Sequence, residues 1–217
     1  LKEPDQFITF SGKLIAFGRS NAKTILISTG IIFALLLALV TVRQVSHRNE
    51  SRASELVEKA VSKYSAALQD TTPQTAYDRV KTDFSAIFDN YDSKNAAKVA
   101  RIIYADISYN AGDADTAIAM YTKALDDLNQ SPAMKNIVLS GLGYAFILKA
   151  EYPRSIHYFE MISADKDDTM KSGALFNLAW LYEAAGEKEK GASMYKQLLT
   201  DFPESMYGDL VREKVSG

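Results

Sequence analysis

Leu178–Ser205 reads LAWLYEAAGEKEKGASMYKQLLTDFPES, and the spacing of its apolar and small residues decides the fold. Leu178, Ala179 and Tyr182 recur at helical intervals before Gly186; Gly191, Tyr195 and Leu198 do so after it, and Pro203 ends the second run. A glycine just past one periodic segment and a proline just past the next are helix-stop signals, so the stretch is two amphipathic helices joined by a tight turn. The same unit recurs upstream. Tyr109-Asn110-Ala111-Gly112-Asp113, Leu148-Lys149-Ala150-Glu151-Tyr152 and Glu183-Ala184-Ala185-Gly186-Glu187 occupy equivalent turns: Gly112 to Ala150 is 38 positions, and Ala150 to Gly186 is 36. After each turn comes a small residue, then an aromatic, then an apolar one: Ala117, Tyr121, Ala124; Ser155, Phe159, Ile162; Gly191, Tyr195, Leu198. From Ala53 onward the periodicity is helical, with no strand pattern.

The small–x3–aromatic–x2–apolar pattern resembles the second helix of tetratricopeptide repeats. In the first helix, Leu142-Gly143 with Phe146, and Leu178-Ala179 with Tyr182, resemble the Leu-Gly-x-x-Tyr signature of that family, and Pro203 matches its closing proline. The period is slightly longer than the family's roughly 34 residues, with the excess in the loops between repeats. Tyr104-Ala105 with Ser108, and Gly191 in place of the usual alanine, depart from the pattern. Phe84-x-x-Ile87-x-x-x-Tyr91-Asp92-Ser93 parallels Tyr195-x-x-Leu198-x-x-x-Phe202-Pro203-Glu204-Ser205, which marks a degenerate earlier unit. The expected fold is all-α: a tetratricopeptide-repeat α-solenoid over residues 43–217, with three clear repeats and one degenerate. A leading helix over Ala53–Leu68 and a closing one over Tyr207–Val215 serve as caps, because a single pair cannot bury its apolar face alone.

Working outward, Thr24–Val42 reads TILISTGIIFALLLALVTV, 19 residues without a charge. At about 1.5 Å per residue this nearly spans a hydrocarbon core of about 30 Å. A cleavable signal would have a shorter apolar core and a small-residue cleavage site, and Val40 to Gln44 offer none. A lipid anchor on cysteine is excluded, since the chain has no cysteine. Residues 24–42 therefore read as a transmembrane helix in contact with membrane lipid. Before it, Phe7, Phe10, Leu14 and Phe17 fall on one helical face, and Lys13 and Arg19 can meet lipid phosphates. Residues 1–23 read as a short cytoplasmic, interfacial amphipathic segment, with a disordered tail as the alternative. Leu1 is not an initiator, so the numbered chain is expected to begin a few residues late.

Three Lys/Arg precede the span within residues 13–23 and three follow it within 43–52, so the basic residues alone nearly tie. A short leading segment and a long trailing domain favour an N-terminus inside the cytoplasm and a C-terminal domain outside it. Of 25 basic and 27 acidic residues, four and two precede the apolar run and none lie in it, leaving 21 against 25 beyond it. An acidic domain lacks the basic face that nucleic acid requires.

No constellation for chemistry emerges. The two histidines, His47 and His157, have no acid–nucleophile partner in sequence. Gly141-x-Gly143 lies within a helix and reads as close packing rather than a phosphate loop. Asp165-Lys166-Asp167-Asp168 lacks the glycine and distal glutamate of a calcium loop. No catalytic, cofactor-binding or metal residue is assigned, no small-molecule substrate is evident, and the chain reads as non-enzymatic.

In tetratricopeptide geometry the first helix of each repeat lines the concave side. Carrying that register over implies a protein-binding groove of Asp106, Tyr109 and Asn110; Tyr144, Ile147 and Leu148; and Phe176, Asn177, Trp180 and Glu183. The alternative is that these aromatics pack against the closing helix or a neighbouring protomer. Ile102, Asp106, Ser140, Gly141 and Phe176 stand where chaperone-tail binders carry a cationic clamp, so an acidic C-terminal motif is not the ligand. The layout as a whole resembles a bacterial inner-membrane family, the ancillary SecYEG translocon subunits (YfgM-like), in the Asp5-Gln6-Phe7 opening, the anchor and the repeats. That resemblance implies a single-pass protein with a periplasmic domain, a scaffold meeting translocon subunits, periplasmic chaperones or exported polypeptides. The other reading is a structural subunit of an outer-membrane assembly or secretion machine, whose members usually attach through the lipidated cysteine missing here.

Overall fold

Three turns set the architecture. Gly112, Ala150 and Gly186 all have left-handed backbone, with φ of 84°, 58° and 83°. At each, two hydrogen bonds close the preceding helix: Asp113 N–H donates to the Ser108 carbonyl and Gly112 N–H to Tyr109; Glu151 to Phe146 and Ala150 to Ile147; Glu187 to Tyr182 and Gly186 to Glu183. This is the Schellman arrangement, which satisfies the carbonyls a helix end leaves open. Glycine adopts it freely; Ala150 holds the same conformation against its own Cβ.

The computed structural model describes residues 6–127 and 132–216. Among them are ten helices and no strand: α1 (Gln6–Ser20), α2 (Ala22–Asp70), α3 (Pro73–Tyr91), α4 (Asn95–Asn110), α5 (Ala114–Asp127), α6 (Pro132–Leu148), α7 (Tyr152–Ser163), α8 (Lys171–Ala184), α9 (Lys188–Asp201) and α10 (Gly208–Ser216). The chain divides into two compact units, Leu1–Ser51 and Arg52–Gly217.

In the first unit α1 forms where the aromatic spacing predicts a helix. Phe17 is exposed, whereas the side chains of Phe7, Phe10 and Leu14, like Asp5 of the opening motif, lie outside the described residues. The Phe17 carbonyl accepts from the Ser20 hydroxyl and the Asn21 side chain at the end of α1. The apolar part of α2 has a mean hydropathy of 2.7, and 0% of it is buried. A core helix of that composition would be covered; this one is long and apolar enough to cross a membrane. With neither glycine nor proline between Gly30 and Pro73, α2 runs for 49 residues, so the apolar run and the expected leading helix are one element.

In the second unit the helices pair as α2 (from Ala53) with α3, α4 with α5, α6 with α7, and α8 with α9, closed by α10. Thr72 caps α3, its hydroxyl accepting from Thr75 N–H, and Pro73 opens the first turn. The core is a chain of clusters, each shared between neighbouring pairs. Ala60 and Tyr64 of α2 meet Tyr77, Val80 and Phe84 of α3 and Tyr104 of α4; Phe84 and Tyr104 stack with centroids 4.7 Å apart. Further along, Tyr121, Leu142 and Phe146 belong to one cluster, and Leu139, Phe159 and Leu178 to the next.

Gly141 and Gly143 are packing positions inside α6, as their sequence context predicts. A Cβ on Gly141 would stand 2.3 Å from the Tyr121 ring, and one on Gly143 would stand 2.6 Å from Phe159. Within the clear pairs, Ala105 and Ala117, Gly143 and Ser155, and Ala179 and Gly191 stand at matching positions. Ser155 donates its hydroxyl to the Gly143 carbonyl at 2.8 Å. A Cβ on Gly191 would lie 2.8 Å from the Ala179 carbonyl oxygen, which explains glycine where the family carries alanine.

Candidate protein-binding groove

Asp106, Tyr144 and Trp180 stand at the same place on α4, α6 and α8, since α4 to α6 and α6 to α8 repeat the 38- and 36-residue steps. All three residues are exposed, Tyr144 at 36% and Trp180 at 39%, and Leu148, one turn beyond Tyr144 on α6, is open as well. The structure joins part of the predicted set directly. Tyr109 of α4 lies 6.5 Å from Tyr144 of α6, ring to ring. Asn177 of α8 donates one amide hydrogen to the Tyr144 hydroxyl at 3.0 Å and another to the Gly173 carbonyl at 2.8 Å. The three first helices are thereby linked side by side. Tyr144 also meets Phe159 edge-on, which fixes its ring plane. Ser140, Tyr144 and Asn177 wall a cleft of about 250 Å³ with Met170, Met206 and Tyr207.

The rest of the set divides. Phe176 turns to the closing segment, stacked on Tyr207 with centroids 4.8 Å apart and also near Tyr195. Glu183 is paired with Lys214 of α10; that carboxylate and the Tyr195 hydroxyl hold the lysine above its ordinary pKa. Trp180 meets Tyr152 of α7 edge-on at 6.0 Å, leaving its outer edge open. Ile147 is half-buried against the α7/α8 cluster, and Asn110 is exposed. Asp106 accepts from the Tyr121 hydroxyl. Burial of its inner side raises the Asp106 carboxyl above the usual range, against the lowering effect of that hydrogen bond. Among the described residues no three His, Asp or Glu side chains gather as a metal ion would need.

Comparison with known families now bears on the whole. Residues 16–150 match the family described as tetratricopeptide repeat-like domain, and residues 173–205 match tetratricopeptide repeat. The first match covers more than half of the chain. This chain belongs to the tetratricopeptide repeat-like family. Among curated proteins nothing matches it. Among solved structures this tetratricopeptide protein is similar to a tetratricopeptide repeat protein from Parabacteroides merdae, with a TM-score of 0.57 and 12% identity over 73% of this chain and 58% of that one. It is also similar to a variant of nearly identical TPR-like repeats, named for a kinesin light chain, from Podosopora anserina, with a TM-score of 0.55 and 12% identity over 72% and 77% of the two chains. The chain thus spans a little over half the length of the first of these. At such identity the likeness speaks for the fold alone.

The tetratricopeptide register missed one part of the exposed face. Between α2 and α4 lies an open groove of about 580 Å³ lined by Val57, Glu58 and Val61 on one wall and Ala96, Val99 and Ile103 on the other. Val99 is 47% exposed. Val99, Ile103, Asp106 and Asn110 succeed one another at intervals of four, three and four, so this groove continues the face on which the predicted residues stand. A signal was present in the sequence: α4 carries apolar residues at Val99, Ile102, Ile103 and Ile107, a wider arc than one buried stripe needs.

Proposed function

We propose that this protein is a non-enzymatic, membrane-anchored scaffold that holds other proteins against the exposed face of its repeats. One observation carries the reading: Tyr144, Leu148 and Trp180 stand open on neighbouring first helices, in a chain that also carries a bare apolar helix. Exposed aromatics held by packing are the usual anchors of protein contacts, because they offer area at little entropic cost. Residues 24–42 cross a bacterial inner membrane, with residues 1–23 in the cytoplasm and residues 43–217 in the periplasm. The uncovered apolar helix supports the crossing; the long domain after it supports the orientation. The overall layout supports translocon subunits, periplasmic chaperones or exported polypeptides as the partners.

Photocrosslinking in cells from Tyr144 and Trp180, each replaced by a photoreactive residue, tests this. Adducts with translocon subunits, periplasmic chaperones or exported chains are expected. A single dominant adduct from another envelope machine would make the protein a structural subunit of that machine instead. No adduct from either position in a normally folded protein would remove the scaffold reading. Alkaline extraction tests the anchor: the protein should stay with the membrane pellet, and release into the supernatant would refute it.

A further inference from the structure

We propose that the stretch of α2 just past its apolar run, with Arg43, Gln44, His47 and Arg48, holds the headgroup phosphates of acidic phospholipids. This rests on the membrane-crossing reading and adds the class of lipid that the anchor selects.

Charge is divided sharply along the chain. From Gln6 to Asn49 there is no acidic residue, whereas Lys13, Arg19, Lys23, Arg43 and Arg48 all fall within that stretch. Residues 50–217 hold 19 of the 25 basic and 25 of the 27 acidic side chains, so attraction to a negative surface has its source before them. The cations are also used differently. Those of the repeats are largely engaged within the protein: Lys59 with Glu55, Lys63 with Asp83, Arg101 with Asp92 and Asp127. The five that precede residue 50 are exposed, and none of them takes part in an ion pair among the described residues.

Their placement supplies the rest. Arg43 stands 20 positions after Lys23, which is about 30 Å along a helix and matches the hydrocarbon thickness. Each can therefore reach a headgroup layer, with its stem lying along the lipid tails. Past the run, Arg43, Gln44 and His47 line one shallow depression on α2, with Val40 at its apolar edge. Arg48 lies on another side of the same helix. Guanidinium forks match phosphate oxygens in pairs, and the amide and imidazole N–H groups are further donors. A zwitterionic headgroup brings an ammonium that these cations repel; an acidic one brings its phosphate without that cost. Glu50 also lines the depression, but seven positions beyond Arg43 it is about 10 Å further from the hydrocarbon. The apolar run itself, 0% buried, gives the lipid tails a surface to lie on, which a free phosphate would not use.

The test reconstitutes the full chain in phosphatidylcholine vesicles. Traces of spin-labelled phosphatidylglycerol or phosphatidylcholine then report, by electron paramagnetic resonance, the lipid held at the protein surface. The phosphatidylglycerol probe should be held at least about threefold more strongly, and Arg43→Gln combined with Arg48→Gln should remove about half of that preference or more. Lys123→Gln combined with Lys196→Gln, two exposed cations of the repeats, should leave it unchanged. Equal holding of the two probes, a full preference in the Arg43/Arg48 variant, or an equal loss in the Lys123/Lys196 variant overturns the proposal. Alkaline extraction keeps the two readings apart. Release into the supernatant removes the crossing and this proposal with it; a protein that stays in the pellet yet holds both probes alike loses only the lipid preference.

Discussion

The pairs α4/α5 and α8/α9 share a backbone plan but fill one core position with opposite chemistry. Arg101 stands where α6 has Leu139 and α8 has Leu175, and all three are buried. The leucines are held by non-directional packing that many apolar side chains could supply. The arginine is held by direction: its guanidinium pairs with Asp92 and Asp127 and donates to the Asp92 carbonyl at 3.0 Å, tying the α3–α4 loop to the end of α5. The helix starts differ in the same way. Asp113 caps α5, accepting from Thr116 N–H at 3.0 Å and from the Tyr77 hydroxyl at 2.8 Å, whereas Glu151 and Glu187 precede α7 and α9 without a side-chain cap bond. A repeat therefore conserves where a contact must be made and leaves open how it is made.

The largest expected effect is at the odd core position. Arg101→Ala should cost about 2–4 kcal/mol, since it opens a cavity and leaves Asp127 with only the longer contact to Lys98 at 3.7 Å. Arg101→Leu should recover most of that loss by making the first pair resemble the third. Urea unfolding followed by circular dichroism measures both; equal losses would mean that the two chemistries are not interchangeable. Next is the close approach in the third pair. Gly191→Ala should cost about 1–3 kcal/mol, because the new methyl meets a backbone carbonyl that cannot swing away. Trp180, the chain's single tryptophan, reports on this pair by fluorescence, and an unchanged midpoint would show that α8 and α9 can part without penalty.

The cap comes third. Burial acts to raise the Asp113 carboxyl, but hydrogen bonds from the Thr116 amide and hydroxyl and from Tyr77 outweigh it and hold the group below its ordinary value. A lowered folded pKa stabilises above the unfolded value and loses that contribution as pH falls through the folded one. Asp113→Ala should therefore cost about 1–2 kcal/mol at neutral pH, with the gap to the wild type closing below about pH 4. Stability measured against pH checks it, and a gap that stays constant would locate the effect outside the carboxylate. The smallest change has the opposite sign. Ala150→Gly should stabilise by about 1 kcal/mol by relieving the left-handed alanine, making the middle turn like its neighbours; a lower urea midpoint would contradict the strain argument.

The helices and turns were legible because amphipathic spacing survives changes of residue. Ala150 aligned with Gly112 and Gly186 although it lacks their freedom, and the glycines of α6 were readable as packing from their place inside a helix. The binding face was only partly legible. The register put Phe176 among the exposed aromatics, but exposure there depends on the segment beyond the last repeat, and Tyr207 of that segment covers the ring. Val57 and Val61 could not be placed, since the degenerate first unit offers no signature from which to count. Arg101 reads in sequence as one more surface charge; only the distant Asp127, brought to it by the pairing of α4 with α5, makes it a core residue.

The glycines of α6 restrict how this protein can have changed over time. Tyr121 occupies the space where Gly141 lacks a side chain, and the residues matching Gly141 are Ile103 in α4 and Asn177 in α8. The next junction shows the other solution: Phe159 matches Tyr121 and Asn177 matches Gly141, and there the asparagine amide is turned onto Tyr144 and the Gly173 carbonyl. A unit moved to follow α5 would therefore have to bring its own ring placement with it, so the junction rather than the single repeat is the piece that can be exchanged.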